Sequence, residues 1–423
     1  VIVKRFLLSR LCSAIGDQFI LFAIPLIVYR STGSIALSGA AFFIEWVPHV
    51  ISLPVAGALA DRFGGGRIYG GADTVRAGAG FLAFALAIAY PTHIFAVVVA
   101  LSVVCAVFYA QAFIALEATV PLLVTPEEMP QAQSVLQGIE QTAAVVGPLL
   151  AAVAVVVVPP IGLLAAAGSA FATSAIMVWS LRAPLERAYR QVPRKAPAHP
   201  LRELLVAFDV LRAHPTLFGL TALSFMVNTI VGLSLATGAA LTIGRFMQSN
   251  ASFGVLQSSV GIFSLASFSA VPALVRKIGV FRMGTGAYAG IVFGGIVMGT
   301  ARSFPAFVAG FALASGLCGL FNVYIRGERA RIIPAEHLGK TIGLIVLLNQ
   351  CSVPLAGLLV AVTASRLDPR HLFLFASFAA LGVLIAVFVA LRGSLRISAP
   401  TVIASAAMRS SQEISQNFQI SSE

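Results

Sequence analysis

The run Gly57-Ala58-Leu59-Ala60-Asp61-Arg62-Phe63-Gly64-Gly65-Gly66-Arg67 sits between two long apolar segments and comes back half a chain later. In Pro272-Ala273-Leu274-Val275-Arg276-Lys277-Ile278-Gly279-Val280-Phe281-Arg282 the Ala, Leu, Gly and closing Arg keep their register. A second echo joins Pro126-Glu127-Glu128-Met129 to Pro334-Ala335-Glu336-His337. Two echoes at nearly the same offset point to a duplicated chain whose halves are parallel repeats.

Composition names the solvent. With 58% hydrophobic and 10% charged residues and a mean hydropathy of +0.94, there are too few charges to cover a water-facing surface around so much apolar material. The apolar segments have the roughly 20-residue length that a helix needs to cross a bilayer, without the alternation of a membrane barrel. The pattern predicts an all-α membrane protein with twelve transmembrane helices in two pseudo-symmetric six-helix bundles. The spans fall near 6–29, 37–60, 69–90, 94–117, 132–158, 161–181, 216–240, 253–275, 283–301, 304–325, 340–363 and 371–391. The first is read as a retained span rather than a cleaved leader, because it contains Asp17 and Gln18 and lacks a small-residue cleavage pattern.

Four segments follow: an amino-terminal bundle over 1–181, a cytoplasmic linker over 182–215, a carboxy-terminal bundle over 216–391 and a cytoplasmic tail over 392–423. Within the linker, Leu201, Leu204, Leu205, Phe208 and Leu211 share one helical face, the pattern of a helix lying on the inner leaflet. Orientation follows from Lys and Arg, which stay cytoplasmic in short loops. With the amino terminus inside, every basic residue except Arg30, Arg245, Arg302, Arg366 and Arg370 falls on the cytoplasmic side. Both termini are therefore expected in the cytoplasm, and the net charge of +12 is explained by topology and by contact with anionic membrane lipids rather than by nucleic acid. The cysteines, Cys12, Cys105, Cys318 and Cys351, all sit in spans without paired spacing and read as packing residues.

The loop between spans two and three resembles the signature of the major facilitator superfamily: a Gly, then Asp-Arg, then a Gly and a closing basic residue, here Gly57, Asp61, Arg62, Gly64 and Arg67. The resemblance covers roughly residues 6 to 395. Within the superfamily, His199 to Leu205 and Pro334 to Gly343 look most like the enterobactin (siderophore) exporter and macrolide efflux branch. It implies a transporter, not an enzyme, that works by alternating access in a bacterial-type inner (plasma) membrane. The expected cargo is a bulky organic molecule, a siderophore or drug-like amphiphile, exported as a monomer in exchange for protons, with no cofactor beyond the proton gradient. The helix-five pattern is present in part, as Gly147-Pro148 followed by Ala151-Ala152, while the helix-four arginine is missing, with Gln111 the nearest polar residue. In this family the loop latches the inner gate: Arg62 and Arg67 are expected to pair with carboxylates across the seam between halves, and Asp73 and Arg76, three apart, to extend that network.

A carboxylate inside the bilayer is costly unless it is paired, neutralised or wet, so each is a functional candidate. Asp17, beside Gln18, Glu45 and His49, four apart on one face, and Glu140 are the candidates for proton coupling and the substrate cavity, with Gln111, Asn228 and Asn322 as polar lining. The bland reading makes these hydrogen bonds between helices, and for His49 it is the commoner outcome. Asp17, Glu45 and His49 also form a ligand set suited to a divalent cation, although no tight spacing brings them together. Gly286, Gly290 and Gly294 suit close helix packing. A lipid or lysolipid transporter of the same fold is the main alternative; a divalent metal exporter and a non-transporting membrane sensor stand behind it.

Overall fold

A computed structural model describes residues 2–125, 128–190, 200–333 and 338–389. The second sequence echo falls largely, and the tail from 392 wholly, outside these residues. Described residues form α1 (Ile2–Thr32), α2 (Ile35–Phe63), α3 (Gly65–Ala89), α4 (Ile94–Thr119), α5 (Met129–Val157), α6 (Gly162–Ser180), α7 (Arg182–Arg190) and α8 (Pro200–Ala213). They continue as α9 (Pro215–Ala240), α10 (Asn250–Thr300), α11 (Phe304–Gly316), α12 (Cys318–Ile332), α13 (Leu338–Thr363) and α14 (Pro369–Val389). Eleven helical stretches are long and apolar enough to cross a membrane. One of them, α10, has 51 residues, about 75 Å at 1.5 Å per residue, which is two crossings. Twelve crossings result, in an all-α major facilitator fold.

The two expected spans over 253–275 and 283–301 are the two helices of α10, which meet at Gly279. The intervening run Arg276 to Arg282 has no proline or polar turn to stop a helix; only Gly279 departs from helical dihedrals, at φ 81°, ψ 158°. Gly64, which separates α2 from α3 in the other half, has φ 90°, ψ 130°. The repeated sequence therefore builds the same backbone device twice, at a region of φ/ψ space that side chains with a Cβ rarely enter. Gly279→Ala is expected to destabilise the protein by about 1–3 kcal/mol. Gly286→Ala in the second of these helices, where an added Cβ meets nothing within 4 Å, serves as control. Thermal unfolding of the two purified variants separates them; equal midpoints would deny Gly279 its role.

Other boundaries shift for local reasons. The expected span 304–325 runs as α11 and α12, which join at Leu317 with helical backbone dihedrals and make one crossing. Gly290 and Gly294 of α10 do sit against that region, facing the Leu317 side chain and the backbone of Gly310 and Ala314. The linker helix α8 forms over the expected residues but is not simply laid on a leaflet. It buries Ala207 and Leu211 against Leu217, Ile333, Leu344 and Ile345 and leaves Leu205 and Phe208 exposed.

The two bundles meet along α2 with α13 and along α5 with α10. At one end the seam is tight. A Cβ on Gly39 would stand 2.7 Å from the Ala361 nitrogen and 2.8 Å from the Gly357 oxygen, and the rings of Phe22 and Phe253 lie 4.9 Å apart. Tyr29 covers Gly244 at the same end. Toward the other end, added methyl groups on Gly57 of α2 and Gly343 of α13 would meet nothing within 4 Å. The halves are therefore closed together at the end bearing the α1–α2 connection, while Gly57 and Gly343, toward the end bearing Gly64 and Gly279, make no such close contact.

Candidate functional site

Helix α1 carries Arg10, Ser13 and Asp17 at intervals of three and four, which puts them on one face turned to the interior of the amino-terminal bundle. Asp17 accepts from Arg76 of α3 at 2.6 Å and from Arg10 at 3.2 Å. Arg10 also donates to Glu140 of α5 at 2.7 Å. Arg76 is ion-paired with Asp73 one turn back, and Asp73 in turn accepts from Ser174 of α6 at 2.5 Å and from Ser13 at 3.3 Å. The guanidinium of Arg76 also lies over the Phe171 ring, 4.2 Å from its centre. Arg76 and Asp73 are wholly buried and Asp17 keeps 16% of its side chain exposed. Four helices are stitched together by three carboxylates and two guanidinium groups, so the cluster is one positive charge short of neutral.

The exposed edge of Asp17 opens on a cavity of about 180 Å³ between α1, α2, α4 and α6. Gln18, Glu45, Trp46, His49 and Tyr109 share its wall. The His49 ring lies 5.2 Å from Trp46 and 5.4 Å from Tyr109. Glu45 forms no ion pair or hydrogen bond among the described residues. Gly147, one residue before Pro148 of α5, packs directly on Gln18: an added Cβ would come 2.4 Å from the Gln18 Cβ. The small residue there lets α5 approach α1 closely enough for Glu140 to reach Arg10.

Of the residues singled out from sequence, Asp17, Gln18, Glu45 and His49 are thus brought to one cavity. Glu140 joins through Arg10 rather than by lining it. Gln111 is buried in α4 with its carbonyl oxygen unpartnered among the described residues, Asn228 is half-buried in α9 and Asn322 is exposed on α12; none of the three lines this cavity. Arg10 was missed. Its place near Lys4 and Arg5 made it one more basic residue ahead of a span, and only its spacing to Asp17 carried a signal.

The gate loop also differs from expectation. Asp73 and Arg76 belong to the buried cluster and not to a seam network, because α3 turns them toward α1 and α6. Arg67 pairs at 3.0 Å with Glu186 of α7, in its own half, where Arg182 binds the same carboxylate at 2.7 Å. The hydrogen bonds from Arg182 and Arg67 hold the exposed Glu186 carboxyl below the ordinary range. Arg62 lies over Phe63 at 5.2 Å and forms no ion pair among the described residues. The side chain of Asp61 is outside the described part. Among the described residues, neither Arg62 nor Arg67 pairs with a carboxylate of the other half. Among the described residues, no group of three His, Cys, Asp or Glu side chains comes together as a metal site.

Comparison with solved structures places this architecture. The chain is similar to a bacterial homologue of the iron transporter ferroportin in its inward-facing state, with 17% identity, TM-score 0.70, and 92% of this chain and 97% of that one covered. The same kind of homologue in an outward-facing state aligns at 19% identity and TM-score 0.63, over 93% and 99% of the two chains. The nucleoside transporter NupG aligns at 12% identity and TM-score 0.71, over 92% and 98%. No curated protein sequence matches the chain. The profile of the Major Facilitator Superfamily matches residues 6–325. A duplicated twelve-crossing chain, closed at one end of its seam around a polar interior and matched by that profile over most of its length, is a transporter and not an enzyme: it belongs to the major facilitator superfamily.

Proposed function

We propose that the chain is a proton-coupled exporter of bulky organic molecules, siderophores or drug-like amphiphiles, with Asp17 as the group that takes and gives up the proton. The observation that carries this is the position of Asp17. It is bonded to two buried arginines on one side and faces the cavity on the other, so a change in its charge acts on substrate space and on helix packing together. When Asp17 is ionised, Arg10 and Arg76 draw α1 and α3 onto it; when it is neutral, both guanidinium groups turn more fully to Glu140 and Asp73. Such a two-way choice of partners can bias two arrangements of a bundle. Arg76 supplies from α3 the positive charge that helix four lacks.

The distribution of basic residues supports an orientation in which Gly64 and Gly279, with their flanking arginines, face the cytoplasm and the closed end at Gly39 faces outward. The resemblance to the enterobactin exporter branch favours export.

In proteoliposomes, Asp17→Asn is expected to abolish uphill transport driven by a pH gradient while downhill exchange of substrate persists, since the cavity itself is kept. Wild-type accumulation in the Asp17→Asn protein at any imposed gradient removes Asp17 from the coupling scheme.

A further inference from the structure

Each bundle buries a guanidinium, but only one of them supplies its counter-ion. In the amino-terminal bundle Arg10 is held by Asp17 and Glu140. In the other, Arg329 of α12 is only 8% exposed and reaches across to α9, where it donates to the Ser224 hydroxyl at 2.9 Å. Its Nε–H is buried without an acceptor, and it forms no ion pair among the described residues. The neighbouring carboxylate, Glu328, is paired with Arg331 at 3.4 Å, and α9 contains no acidic residue. A buried carboxyl can neutralise itself by taking up a proton, whereas a guanidinium cannot shed one. The charge on Arg329 therefore calls for a counter-charge from outside the fold.

The surrounding polar residues show where that charge enters. On α9, half-buried Asn228 lies one turn beyond Ser224 on the same face; on α12, Asn322 and Arg326, four apart and both exposed, precede Arg329. Polar side chains at bilayer depth turn to protein or water rather than to acyl chains, and α9 packs on α1 and α2 of the other half. The strip thus borders the space between the halves. Snorkelling toward the interface accounts for the exposed Arg326 and Arg331 but not for Arg329, which is turned inward. Flanking Gly279 and at the end of α12 there are six basic residues and one acidic, so the local field favours an anion. From this unmatched guanidinium and the polar strip beside it, we infer that Arg329 binds a carboxylate or similar oxyanion group of the transported molecule. The inference rests on reading the chain as an exporter of organic molecules and names their class, organic acids. One anionic oxygen takes the free Nε–H, and the planar fork suits a carboxylate better than a point charge would. Ser224, whose own proton goes to the Leu220 carbonyl at 2.9 Å, positions the guanidinium and does not contact the anion. An acid docked here sits on the bundle that holds none of Asp17, Glu45, Asp73 and Glu140, which would repel it.

The test uses the full chain in detergent and two photoreactive benzophenones, 4-benzoylbenzoate and its neutral amide, 4-benzoylbenzamide. After illumination, label in peptides covering 221–228 and 322–329 is quantified by mass spectrometry as probe concentration rises. The acid is expected to reach half-maximal labelling at a concentration at least about tenfold below that of the amide. Arg329→Gln is expected to erase the preference while the amide labels as before, and Arg329→Lys to keep part of it. A preference that survives Arg329→Gln, or equal labelling of the wild-type protein by the two probes, overturns the assignment and leaves the exporter reading intact. Wild-type label confined to the amino-terminal bundle overturns it without recourse to a variant. A lipid headgroup carries the same chemistry, and proteoliposomes of phosphatidylcholine alone separate the two sources. Exchange of 4-benzoylbenzoate across that membrane by the wild-type protein and not by Arg329→Gln assigns the anion to the cargo. Displacement of the acid from micelles by phosphatidylglycerol, with no exchange in proteoliposomes, assigns it to lipid and overturns the proposal. Labelling and exchange of neither probe overturn the exporter reading as well.

Discussion

Arg76→Ala is expected to leave little folded protein in the membrane. The side chain is wholly buried, and its removal strands Asp73, which is also wholly buried, and takes from Asp17 its shorter ion pair. Breaking a buried pair by deleting one partner costs about 3–5 kcal/mol, a large share of the 5–15 kcal/mol typical of folded domains. The Phe171 ring loses the cation lying over it as well. The check is the yield and monodispersity of detergent-extracted protein, followed by its thermal unfolding. The double variant Asp73→Asn with Arg76→Gln removes one charge of each sign from the cluster and is expected to recover much of the loss. A monodisperse Arg76→Ala protein with wild-type unfolding would show that the cluster contributes nothing to holding α1, α3 and α6 together.

Gly39→Leu is expected to stop the cycle for a different reason. Its new side chain would be directed at the backbone of α13, and backbone atoms at 2.7 and 2.8 Å cannot step aside as a flexible side chain does. Overpacking of this kind costs about 1–3 kcal/mol, and the cost is paid only in the state where α2 and α13 are closed on each other. The equilibrium between states therefore moves by roughly 5- to 150-fold toward the arrangement that parts them at this end. Distances between spin labels at the closed end of α2 and α13 should lengthen, and turnover should fall while the protein still folds. Unchanged distances would mean that the glycine contact does not define the closed state. Gly357→Leu, whose added Cβ would meet the Phe43 nitrogen at 2.8 Å and the Gly39 oxygen at 2.9 Å, should act in the same direction.

The helical class and the duplication could be read from residues alone because a bilayer imposes a simple rule, long apolar runs with every backbone group bonded inside its own helix. Gly64 and Gly279 were visible as an echo, and their shared dihedral region gives that echo a physical cause. What the sequence concealed was partnership across helices. Arg10 lies near the start of α1 and Glu140 far along the chain, and nothing local to either announces a 2.7 Å contact. Asp73 and Arg76 were seen as a pair but placed in the wrong network, since spacing on one helix says which residues share a face and not which neighbour that face meets. Arg67 was expected to reach the other half and instead found Glu186, because α7 folds back beneath α3 and offers a carboxylate nearby.

Among the described residues, the concentration of membrane-embedded carboxylates in one bundle has an electrical consequence. A cell's resting voltage does work only on charges that shift along the field, about 2.3 kcal/mol per elementary charge across 100 mV. Helices α9 to α14 carry their charges toward the ends of the bilayer crossings, with Arg329 of α12 buried against Ser224 of α9, so voltage sensitivity of turnover arises chiefly from how far the ion cluster and Glu45 travel relative to the low-field ends of the bilayer.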